Sequence, residues 1–111
     1  MRKTIVLALA LSTGAAVPAA AAQTGSPEAA KGKISMCMGC HGIPMYHTAY
    51  PEVYSVPMIG GQSPTYIVKA LQEYKAGERS HPTMRGIAEG LTDQDMADIA
   101  AYYGAAAKEN K

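Results

Sequence analysis

The sequence predicts an all-α domain of about four helices joined by long loops. Three observations carry this. Apolar residues recur at helical spacing over Tyr66, Ile67, Ala70, Leu71 and Tyr74, and again over Met96, Ile99, Ala100 and Tyr103. Each of these stretches follows a helix-start pattern, Ser63-Pro64 in one case and Thr92-Asp93-Gln94-Asp95 in the other. No stretch alternates apolar and polar residues as a convincing strand, and no internal repeat is present.

Met1 to Ala22 read as a secretory signal peptide: Arg2-Lys3 supply the positive start, Thr4 to Leu11 the apolar run, and Ala20-Ala21-Ala22 the small-residue cleavage site. That run is too short for a normal spanning helix. No later segment approaches the roughly 20 apolar residues a membrane crossing needs, so the mature chain is expected to be soluble and periplasmic. Cleavage would remove 22 of 111 residues, leaving one small domain whose own core is marginal. It would also remove Arg2 and Lys3, turning the formal charge of +1 into −1. Such a balance argues against nucleic-acid binding.

Residues 23–29 form a flexible N-terminus and the start of the first helix, residues 30–104 the domain proper, and 105–111 a tail. Ser26-Pro27-Glu28 supplies an N-cap, a proline at the first position and an acid near the positive helix end. The helix is expected to run to about Ser35. Gly32 inside it weakens it, unless another backbone approaches there. Gly42 to Gln62, with Pro44, Pro51, Pro57 and Gly60-Gly61, is a long ordered loop. Its Tyr46, Tyr50 and Tyr54 recur every four residues, but the prolines break a continuous helix. The helix opened by Ser63-Pro64 closes at Gly77. A second loop, Gly77 to Gly90, holds Arg79, His81, Pro82, Met84 and Arg85, with a short helical turn around Arg85 to Glu89. The last helix opens on a capping box with aspartate in the usual glutamate place and runs to about Tyr103, with Gly104 as its stop.

The one strong chemical motif is Cys37-Met38-Gly39-Cys40-His41. Two thiols separated by two residues lie on one face of a helical turn, where they can add across the two vinyl groups of haem, and the following imidazole can ligate its iron. One such motif means one covalently attached haem c. The rival readings of this spacing fare worse: zinc needs ligands beyond His47 and His81, and a thioredoxin-like pair needs a βαβ context. A disulfide would leave His41 unexplained.

His41 fills one axial position, and the other decides between electron transfer and an open, ligand-binding site. Met36 and Met38 lie beside the attachment turn. Met45 and His47 follow it too closely to pass around the porphyrin edge, and Met96 sits on a core stripe. Met84, 43 residues beyond His41 in a proline-containing loop, is the favoured ligand, with Met58 and His81 remaining as alternatives.

With these residues in place, the chain from about Ala30 to Tyr103 resembles the class I c-type cytochromes, in particular monohaem cytochrome c-553 and one half of a dihaem cytochrome c(4). The specific carriers are Met84-x-Gly86-Ile87 and Leu91-Thr92-Asp93-Gln94-Asp95-Met96-Ala97-Asp98-Ile99-Ala100-Ala101-Tyr102. The resemblance implies the class I cytochrome c fold, with His41 and Met84 as axial iron ligands and Pro57 as the carbonyl acceptor for the His41 imidazole. It also implies a close crossing in which Gly32 and Met36 meet Ile99 and Tyr102. Against that family the Gly42 to Pro57 loop reads as a few residues longer, and no second haem domain is expected. The function expected is that of a non-enzymatic one-electron carrier cycling Fe(III)/Fe(II), meeting its redox partners by transient docking at the haem edge, where Lys69, Lys75, Arg79 and Arg85 are candidate contacts. The alternatives are a cytochrome subunit of a periplasmic dehydrogenase or sulfur-oxidising complex, and a haem-based gas sensor.

Overall fold

Proline in the first turn opens three of the helices in the computed structural model, which describes residues 23–50 and 53–106. The signal-peptide stretch and the end of the tail lie outside those residues. The helices are α1 (Pro27–Ala30), α2 (Ser35–His41), α3 (Pro64–Ala76), α4 (Pro82–Glu89) and α5 (Asp93–Ala105). Among the described residues there is no strand; one isolated antiparallel bridge joins His47 to Ser55.

The first helix is shorter than its start signal promised. Ser26 Oγ accepts from the Ala29 N–H as expected, but α1 stops at Ala30, and a turn over residues 31–33 leads to a separate α2. Gly32 lies in that turn, where its poor helix propensity costs least. The turn also delivers Lys33 to α5. Its ammonium bonds Asp95 and Asp98 at 2.7 Å each. Asp98 is buried and also accepts from the Ser26 N–H at 2.8 Å and from Gln94 Nε2 at 2.9 Å. Gln94 in turn reaches the Thr24 carbonyl. The Lys33 hydrogen bond, with those from Ser26 and Gln94, holds the Asp98 carboxyl down at about 2.

This strap corrects the expected crossing. A Cβ at Gly32 would meet nothing within 4 Å, whereas one at Gly25 would overlap the Ala97 carbonyl and the Asp98 nitrogen. The close approach to α5 is therefore made by Gly25. Met36 is exposed rather than closed into the crossing.

α3 has Ser63 at its N-cap position without a capping side-chain bond, and it ends at Gly77 with φ of 79°, the left-handed turn glycine tolerates. α4 extends well beyond the short turn expected. Pro82 suits a first helical position, and His81 caps it by accepting the Met84 N–H. Met84 thus sits on a helix, not in a loop. α5 carries the predicted capping box between Thr92 and Asp95. It continues through Gly104 to Ala105, so Gly104 is not its stop. A Cβ there would overlap the Pro64 ring, which makes Gly104 the point where α5 passes the start of α3.

α1 packs on α5, and α3 packs on both α4 and α5. Ala30, Ile34, Ile67, Leu71, Leu91, Met96, Ile99, Ala100 and Tyr103 form the core. The apolar stripe read on the last helix is the buried one. The Tyr103 hydroxyl is enclosed without a hydrogen-bond partner, and burial pushes it up to about 12.

Candidate functional site

Beside this core the helices leave a cavity of about 320 Å³, within the usual size range of a cofactor site. α2 contributes Cys37, Cys40 and His41 to its lining; α3 contributes Tyr66, Ile67 and Leu71; α4 contributes Met84 and Ile87. The long loop closes another side with Thr48, Tyr54 and Pro57 to Ile59. Two backbone bonds shape that loop into a hairpin, Thr48 N–H to the Tyr54 carbonyl at 2.9 Å and Val56 N–H to the Tyr46 carbonyl at 2.8 Å.

His41 is the most defined polar group in the site. Its Nδ1 lies 2.6 Å from the Pro57 carbonyl oxygen. A carbonyl only accepts, so Nδ1–H donates, and the bare nitrogen of a neutral ring is Nε2. Residues 16 positions apart therefore set the tautomer and the ring plane.

Cys37 and Cys40 are half-buried free thiols on one face of α2. Burial pushes the Cys37 thiol up. A nucleophilic exchange cysteine is shifted the other way, which disfavours thiol–disulfide exchange.

Of the three candidates for the far side, Met84, Met58 and His81, all line the cavity. His81 is committed elsewhere through Nδ1, which accepts the Met84 N–H at 3.3 Å. Met58 directly follows Pro57 and so is tethered to the wall that holds His41. Met84, half-buried against the core, is the thioether delivered by a different element.

The lining fits a flat apolar group held by two thiols and an imidazole. Met36, Met58 and Tyr66 all line the cavity and are 51%, 56% and 48% exposed, so apolar surface is left uncovered by protein where such a group would lie. Haem is a group of that shape and chemistry. Sequence reasoning missed the double role of His81 as helix cap and ring partner; the signal available was its place directly before Pro82.

No family model matches the chain. It is 42% identical over 86 residues to cytochrome c4 of Thiocapsa roseopersicina, a match covering 77% of this chain and 42% of that protein, so the chain spans less than half the length of that relative. Among solved structures, reduced recombinant cytochrome c4 from Pseudomonas stutzeri superposes with a TM-score of 0.60 at 35% identity, over 75% of this chain and 46% of that one. Cytochrome c-554(548) of Halomonas halodenitrificans is 39% identical over 82 residues, and that match takes in 71% of this chain and 94% of the relative. With a near full-length relative at that identity, and with paired thiols, imidazole and thioether around one apolar cavity, the chain belongs to the class I c-type cytochromes.

Proposed function

We propose that this chain is an exported, periplasmic carrier of single electrons, without enzymatic activity of its own. In this reading Cys37 and Cys40 would hold one haem through thioether bonds, and His41 Nε2 and Met84 Sδ would ligate its iron. When bound, the haem supplies a one-electron Fe(III)/Fe(II) couple. The observation that carries the reading is the His41–Pro57 hydrogen bond of 2.6 Å in the wall of a cavity that also receives Cys37, Cys40 and Met84.

Each residue has a task. Pro57 fixes the His41 ring and, by accepting its N–H, makes the opposite nitrogen a better donor. Ile67, Leu71 and Ile87 keep water from one face. Met84 supplies a soft, neutral ligand, which raises the potential relative to two histidines, and closes the coordination shell against substrate. Met1 to Ala22 direct export. Redox partners dock briefly at the open edge of the cavity, through contacts of the small and short-lived kind.

The test is an absorption spectrum of the periplasmic protein beside that of Met84→Ala. Covalent haem should remain with both chains on a denaturing gel, and the sulfur-to-iron charge-transfer band of the oxidised protein should vanish in the variant. A band that survives the substitution refutes the axial assignment. A wild-type chain that runs without haem refutes the carrier.

A further inference from the structure

His81 makes three contacts at once. Its Nδ1 accepts the Met84 backbone N–H, its ring lies 4.1 Å from the Tyr54 ring at a tilt of 38°, and it meets the Tyr74 ring edge-on at 6.2 Å. A backbone N–H only donates, so Nδ1 is the bare nitrogen of this imidazole. Tyr54 belongs to the hairpin of the long loop, where its own N–H reaches Thr48 Oγ1 at 3.1 Å. The neighbouring Arg79 lies over the rings of Tyr74 and Tyr66 and donates to the Tyr66 hydroxyl at 3.1 Å. The connection between α3 and α4 is thereby stitched to α3 by Arg79, and to the loop by His81.

We propose that His81 is a positioning residue for Met84, and that its cap and its stack on Tyr54 together hold the methionine thioether at the iron. The inference rests on the assignment of Met84 as axial ligand. α4 has only eight residues, too few to be stable alone, and Met84 is its third. When the first turn of such a helix frays, the residue at that position leaves with it. The cap opposes fraying from within the chain, and the Tyr54 ring opposes it from the loop. A residue whose side chain need never touch the iron thus sets how often the thioether is off it.

Imidazole added to the oxidised full-length holoprotein competes for the position Met84 would hold, so its apparent affinity reports the fraction of protein with the thioether detached. His81→Ala should raise that affinity about five-fold, the usual cost of a lost N-cap expressed as an equilibrium. His81→Asn restores an acceptor without the ring, and His81→Phe restores the ring without an acceptor. Both should fall between His81→Ala and the natural protein, with the far-UV helical signal unchanged. Affinities within two-fold of the natural protein for all three variants, while Met84→Ala binds imidazole far more tightly, would overturn the role of His81 and leave the ligand assignment standing. A charge-transfer band that survives Met84→Ala would remove both.

Discussion

Gly25→Ala and Gly32→Ala should move stability in opposite directions, because only one of these glycines stands against another backbone. A methyl group at Gly25 would overlap the Ala97 carbonyl and the Asp98 nitrogen, both fixed inside α5. Neither can rotate away as a side-chain end would. Overpacking of this kind costs about 1–3 kcal/mol, and no gain in helix propensity offsets it because Gly25 precedes α1. The alternative for the chain is to peel the strap off α5, giving up the Ser26–Asp98 and Gln94–Thr24 bonds, so the cost of peeling sets the upper limit. At Gly32 the same methyl group meets nothing within 4 Å, and the residue is not in the positive-φ region. Alanine there should stabilise by about 0.4–1 kcal/mol through the unfolded chain. Thermal unfolding followed by circular dichroism resolves both changes, since 1 kcal/mol moves Tm by roughly 4–8 °C in a domain of this size. If Gly32→Ala is the destabilising variant and Gly25→Ala is silent, the crossing lies where the family resemblance implied, and the strap described above is wrong.

Three further outcomes follow from the core and its ion network. Asp98 titrates lower folded than its ordinary value of 3.8, so the stability it adds is fully present above that value and drains as pH falls through about 2. Asp98→Asn should flatten that acid limb in urea midpoints measured across the same interval. Tyr103→Phe removes a hydroxyl enclosed without a partner and should stabilise by about 1 kcal/mol; a loss in the denaturation midpoint would mean that the hydroxyl is bonded in the holoprotein. Leu71→Ala takes a buried side chain from the boundary of core and cavity. It should cost about 2–5 kcal/mol in equilibrium unfolding, the more so if the neighbouring helices do not collapse onto the gap.

What was readable in the chain divides along physical lines. The stripe of Met96, Ile99, Ala100 and Tyr103, the box at Thr92 and Asp95, and the turn at Gly77 depend on residues within a few positions of each other, and they stand as read. Two elements were misread, one because its partner is distant and one because a local cap went unread. Gly104 looked like a stop because glycine often ends helices, but its lack of a side chain answers to Pro64. Pro82 was read as part of the Gly77 to Gly90 loop, but with His81 capping directly before it the residue starts a helix. The contacts that shape the site depend on distant partners, as Gly104 does. His41 meets Pro57, and His81 meets Tyr54, only after the long loop has folded back over α2 and α4. A motif can announce two thiols and an imidazole from local spacing alone. Which nitrogen that imidazole turns toward the cavity is set by a carbonyl of the long loop, 16 residues further along the chain.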